Sequence, residues 1–240
     1  MQKGLGVIAA LVLGLYAIYL YQFPTYTVRY RLTVDVDVDG KLVSGSSVRE
    51  VRFWRQVIVF SAPYSFSLDG EAVVVDLGKR GILFATTNGN DNSFSTDEAK
   101  LMPERVFRQA LKLPQNFDRS KGGDSRVELW RQLSQIRHCT DVIRDEWPML
   151  VRFGDLKVPA SVERVDPSNL AASFGPGVSL RAITICIVDE PASRIVEQFL
   201  PWIINYNGPM ANWHGGPISV DQAPFNIKVE NTAFKARPRK

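Results

Sequence analysis

From Val28 to Val38 the chain alternates without a break. Val28, Tyr30, Leu32, Val34, Val36 and Val38 are apolar, and Arg29, Arg31, Thr33, Asp35 and Asp37 between them are polar. A period of two predicts a β-strand with one buried face. Asp39-Gly40 then supplies the two positive-φ residues of a tight hairpin turn, and KLVSGSSVREVRF predicts the returning strand. A two-residue loop sets Val36 opposite Val43 and Arg29 opposite Glu50, a favourable cross-strand charge pair. Gly45 and Ser47 then face Val34 and Leu32, so a bulged three-residue loop is the alternative.

The same stretch reads D-x-D-x-D-G through Asp35, Asp37, Asp39 and Gly40, the opening of a calcium-binding loop. An EF-hand starting at Asp35 needs a bidentate Glu at its twelfth position and a helix before it. Ser46 stands at that position and an alternating strand precedes it, so the stretch is read as a hairpin turn with an acidic edge.

Further along, EAVVVDL and GILFATT predict a second strand pair turning at Gly78-Lys79-Arg80-Gly81, central in a sheet because both runs are continuously apolar. A helix is expected around residues 96–113, opened by a capping box of Ser95 with Glu98 and interrupted or split at Pro103. A second box, Ser125 with Glu128, opens a helix that lines up Leu129, Leu133 and Ile136 on one face. DRSKGGDS before it reads as a linker. MLVRF returns to strand, Asp166-Pro167 opens a short helix stopped at Gly175-Pro176, SLRAITICIV is a buried strand, and SRIVEQFL is a last short helix. Strands joined by hairpins with helices inserted between them predict an α+β fold, antiparallel and rich in hairpins, in one domain over residues 25–230.

The N-terminus changes that picture. The chain carries no charge from Gly4 to Tyr21, about 27 Å of helix at about 1.5 Å per residue, and Tyr16, Tyr19, Tyr21 and Phe23 crowd its far end. The expectation is a single transmembrane helix acting as a signal-anchor over residues 1–24, in contact with the lipid bilayer through residues 4–23. It places the N-terminus in the cytoplasm and the domain on the periplasmic or extracellular side of the plasma (inner) membrane. A cleaved secretory signal is the rival, but no A-x-A pair follows the apolar run. Gly6, Ala10 and Gly14 form a small-residue stripe that is a candidate homodimer seam, against plain lipid-facing filler.

With 45% hydrophobic and 22% charged residues the chain has the composition of an ordinary folded protein. Its net charge of +4 is matched by Lys235, Arg237, Arg239 and Lys240, read as a basic tail over residues 231–240. The body is therefore near neutral, which argues against a nucleic-acid partner. Cys139 and Cys186 are the only cysteines. They are candidates for a disulfide in an exported domain, the alternative being that Cys186 is a small core residue. No zinc spacing joins them to His138 and His214, and no cofactor loop, metal motif or nucleophile elbow appears, so neither cofactor nor metal is expected. The segment NYNGPMANWHGGP offers Tyr206, Trp213 and His214 as a binding loop, with burial of Trp213 in the core as the alternative.

GSSV at 45–48, GEAVVVDLG, the long run VERVDPSNLAASFGPGVSLRAITICIVDEP and LPW at 200–202 resemble hypothetical bacterial proteins, mostly proteobacterial, of unknown function. The resemblance implies a bacterial, membrane-anchored protein and brings no catalytic residue with it. The expected function is a non-enzymatic binding or assembly module with an unidentified protein partner. The alternative is an exported hydrolase whose residues converge only in three dimensions.

Overall fold

The structure, a computed structural model, describes residues 11–17, 19, 21–56, 64–90, 96–111, 125–212 and 222–237. It is an α+β fold built on β1 (Thr25–Val38) and β2 (Lys41–Arg55). Val38 pairs with Lys41, so only Asp39 and Gly40 form the loop, at φ 52° and 80°. Val36 faces Val43, Arg29 faces Glu50, and Gly45 and Ser47 face Val34 and Leu32 in an unshifted register. The acidic edge is spent locally. Asp39 takes both its oxygens to Arg80 Nη2 at 3.0 Å, Asp35 accepts the Ser44 hydroxyl, and Asp37 meets Arg181 at 3.5 Å.

The hairpin lies inside a six-stranded antiparallel sheet of order β10-β3-β2-β1-β9-β6, with β3 at Tyr64–Glu71, β6 at Cys139–Asp141, β9 at Val178–Val188 and β10 at Lys235–Ala236. β4 (Val73–Asp76), β5 (Ile82–Gly89), β7 (Pro148–Phe153) and β8 (Val162–Arg164) form a second sheet in that order. Between β3 and β4 the chain passes from one sheet to the other through the single residue Ala72. The sheets pack face to face, with Val28, Tyr30, Leu32, Val34 and Val36 against Val73, Val75, Leu83, Ala85 and Leu150. They approach so closely that a Cβ at Gly45 would stand 2.1 Å from the Val74 carbonyl oxygen. That explains a glycine opposite Val34 in a strand where it otherwise weakens pairing.

Two helices close one end of this core, α1 (Asp97–Ala110) and α2 (Ser125–Gln135). α1 runs unbroken through Pro103, where a split was expected. Proline has no N–H to give the carbonyl four residues back, which is that of Ala99. Tyr30, fully buried in β1, donates its hydroxyl to Ala99 O at 2.8 Å and replaces the missing bond. The α1 N-cap is Thr96, and Ser95 lies outside the described residues, as does the DRSKGGDS segment up to Asp124. Asp166-Pro167 makes a turn in which Asp166 accepts from Ser168, and the short helix α3 follows only at Ala171–Phe174.

The outer face of the second sheet is covered by a C-terminal layer, with Phe84, Met149, Val151 and Phe153 packed against Val196, Leu200, Ile203, Met210, Val229 and Phe234. Among the described residues its regular elements are short: α4 (Val196–Phe199), 3-10 turns at Pro201–Ile204 and Asn231–Ala233, α5 (Phe225–Lys228) and β10. Residues 231–237, expected to form a solvated tail, belong to this body. Phe234 is fully buried, Lys235–Ala236 pairs with β3, and Arg237 binds buried Glu71 at 2.7 Å. The sequence pattern hid this because Phe234 and Ala236 alternate with Lys235 and Arg237, a two-residue strand flanked by cations.

The N-terminal expectation is corrected. Among the described residues no helix is long and apolar enough to cross a membrane. The described helical positions lie between 11 and 22, about 18 Å against a hydrocarbon core of about 30 Å. Pro24 follows, and β1 begins at Thr25. The single-pass transmembrane helix, and the inner-membrane placement derived from it, therefore do not stand. Of the proposed homodimer stripe, Gly6 and Ala10 lie outside the described residues, and Gly14 faces open space.

Candidate functional site

A highly charged concavity sits where the end of α2 meets the six-stranded sheet. Thr27 and Arg29 of β1, Glu50 and Arg52 of β2, Ser134 and Arg137 at the end of α2, and Asp189 after β9 line a cleft of about 180 Å³. The hairpin register brings the first four together. Glu50 stands opposite Arg29, and Arg52 lies two residues further along the same face. Helix α2 packs on β1 through Leu129, Trp130 and Leu133, which fixes where its last turn delivers Arg137.

Glu50, largely buried, is the hub: Arg29 Nε donates to its Oε2 at 2.7 Å and Arg52 Nε to its Oε1 at 2.9 Å. Burial alone would raise the Glu50 carboxyl, but the hydrogen bonds from Arg29 and Arg52 bring it below its ordinary value. Across the cleft Arg137 holds Asp189 through Nε at 2.9 Å and through Nη2, and turns Nη1 back to the carbonyls of Ser134 and Ile136. That hydrogen bonding lowers Asp189 and raises Arg137. Arg29 Nη1 also donates to Asp189 O at 3.3 Å, tying the two walls together.

The walls are stapled a second time. Cys139 and Cys186 are joined in a disulfide across directly opposed positions of β6 and β9, closing a loop of 47 positions. Cys186 is half-buried on the outward side of β9 rather than in the core. Arg137 lies two residues before one sulfur and Ile187 one residue after the other, and Ile187 N–H donates to His138 O at 3.0 Å. The disulfide and this ladder bond set the separation of the cleft's two sides.

Of the residues expected to form a binding loop, Tyr206 is half-buried. Its hydroxyl donates to Pro209 O at 2.7 Å and its ring stands edge-on to Trp202, which in turn donates to Leu156 O. Trp213 and His214 lie outside the described residues. His138 is exposed, its ring edge-on to Phe107. Among the described residues no group of three or more His, Cys, Asp or Glu side chains is placed to hold a metal ion. A larger, more open depression of about 580 Å³ beside β8 and α5 presents Glu163 and Arg164, which are already engaged with Arg152 and Asn90. Buried Glu104 takes Arg108, Arg126 and Trp130 Nε1, each at 2.9 Å, and locks α1 to α2.

Sequence reasoning found the Arg29–Glu50 pair and missed the rest of the cleft. Arg52 was legible from β2 alternation. Arg137 and Asp189 carried no such signal, because helix packing and the β6–β9 ladder bring them in. No family model, curated protein or solved structure matches the chain.

Proposed function

We propose that this chain is a non-enzymatic binding module that meets its partner at the cleft between α2 and the ends of β1, β2 and β9. The observation that carries this reading is the direction in which the cleft's groups are shifted. General acid–base catalysis works best with a group whose pKa lies near the operating pH. Here Glu50 and Asp189 are held below the ordinary carboxylate range and Arg137 above the ordinary guanidinium value. The cleft offers fixed charges rather than exchangeable protons, on walls already braced by ion pairs and a disulfide. Such preorganisation favours binding, because little side-chain freedom remains to be lost.

Amide chemical-shift mapping of the full chain tests it, with inorganic phosphate, acetate, a neutral sugar and a short basic peptide as probes. At least one of these classes is expected to perturb residues 27–29, 50–52, 134–137 and 187–189 selectively and to be recovered unchanged. If all four leave those amides unmoved, or if the bound probe is converted, the reading fails.

A further inference from the structure

We infer that the cleft is a receptor for an oxyanion, a phosphate or a carboxylate carried by the partner, and that Arg52 and Arg29 are the residues that hold it. This rests on the binding-module reading and adds the chemistry of the ligand. Three guanidiniums face two carboxylates there, so the cleft carries one uncompensated positive charge.

The bonding pattern locates that charge. Arg137 is spent, with all three of its nitrogens committed to Asp189 or to the carbonyls of Ser134 and Ile136. Arg29 and Arg52 each give Nε to Glu50, and Arg29 gives Nη1 to Asp189 O. Among the described residues, both terminal nitrogens of Arg52 and Nη2 of Arg29 have no protein partner. What is left over is a set of forked N–H donors with no acceptor. A guanidinium fork matches the paired oxygens of carboxylate and phosphate. A neutral polar group would leave the surplus charge unanswered, and a cation would meet repulsion from all three arginines.

Glu50 gives both neighbours their orientation by holding each at Nε, so the donors are aimed before any ligand arrives. It is also a like charge beside the incoming anion and lowers the affinity that the same donors would have without it. About 180 Å³ corresponds to roughly six water molecules at the liquid's share of about 30 Å³ each, room for one oxyanion and its attachment.

Titration of the full chain with inorganic phosphate and, separately, acetate, followed by the amides of residues 27–29 and 50–52, tests the inference. Saturable shifts in either arm are expected, and the tighter arm names the source of the oxyanion. Arg52→Gln should weaken binding by roughly tenfold or more, with only a small drop in melting temperature because Arg29 still pairs with Glu50. Arg181→Gln, outside the cleft, should change nothing. The inference is overturned if neither anion binds, if chloride competes as well as phosphate and acetate do, or if Arg52→Gln binds as the parent does. Selective perturbation of the cleft by the neutral sugar or the basic peptide, with neither anion binding, would leave the binding-module reading standing and remove the oxyanion alone.

Discussion

The β1–β2 hairpin and the C-terminal layer of residues 195–212 and 222–237 both bury large apolar side chains completely, Tyr30 and Phe53 in one, Ile203 and Phe234 in the other. They are fastened in different ways. In the hairpin every residue from Thr25 to Val38 has a ladder partner, and neighbours in space are near neighbours in sequence. Among the described residues the C-terminal layer has only single-turn helices, two α and two 3-10, and a two-residue strand, and polar bonds of very long range hold it. Glu71, fully buried at the end of β3, accepts the N–H groups of Ile195 and Val196 at 2.6 and 2.9 Å and pairs with Arg237. Asp69 holds Arg194, and Thr87 donates to Thr232 O. A ladder is cooperative along its length, whereas a layer pinned at a few buried polar points can detach when one pin is removed.

The largest expected effect comes from the pin. Glu71→Ala leaves two N–H groups and the Arg237 guanidinium without their acceptor, a loss of about 4 kcal/mol. Hydrogen exchange separates the two regions, because amides of residues 195–212 and 225–237 should lose protection while those of β1 and β2 keep theirs. Uniform loss across both regions would show that hairpin and layer unfold as one unit and would break the contrast.

Gly45→Ala probes the hairpin from the side its ladder does not explain. The added Cβ would stand 2.1 Å from a backbone oxygen of β4, which cannot swing away as a side chain would, so strain of about 3 kcal/mol is expected in the chemical-denaturation midpoint. A near-neutral result would mean that the two sheets slide past one another, and that the hairpin depends on its own ladder more than on docking.

The same contrast explains what the sequence reveals. Alternation, the Asp39-Gly40 turn and the Arg29–Glu50 pairing are local, so the hairpin and its register are legible residue by residue. Arg49 was missed within that hairpin, although the register places it opposite buried Tyr30. Its guanidinium is fully buried, with Nε donating to Glu71 O, Nη2 to Ala85 O and Thr86 O, and Nη1 without a partner among the described residues, and the last two acceptors belong to a strand no local pattern aligns with β2. The cleft divides in the same way, with Arg29, Glu50 and Arg52 on one readable face, and Arg137 and Asp189 delivered by packing. Residues 231–237 were read as a tail because composition reports the cations and is blind to the buried carboxylate that one of them meets. The apolar N-terminal run shows the opposite failure, since its strong local signal is not matched by any helix among the described residues long and apolar enough to cross a membrane.

Tyr30 joins the two kinds of fastening, being a ladder residue that also makes a long-range polar bond. Its hydroxyl answers the carbonyl that Pro103 leaves without a donor, so Tyr30→Phe removes the substitute for that bond and should cost about 2 kcal/mol at pH 8. Burial pushes the Tyr30 phenol above its ordinary value, although Arg49 beside it acts in the opposite sense. A folded-state pKa above the unfolded one means that this group's contribution is intact below about pH 10, where the unfolded phenol begins to ionise, and is lost as pH rises through the folded value. In urea titrations the gap between parent and Tyr30→Phe should therefore hold constant from pH 7 to 9. It should then narrow by up to about 1.4 kcal/mol per pH unit above about pH 10, because the phenylalanine variant has no proton to lose there. A gap that stays constant to pH 11 would show that the phenol ionises as readily in the folded protein as in the unfolded chain, and that burial in the hairpin does not hold its proton.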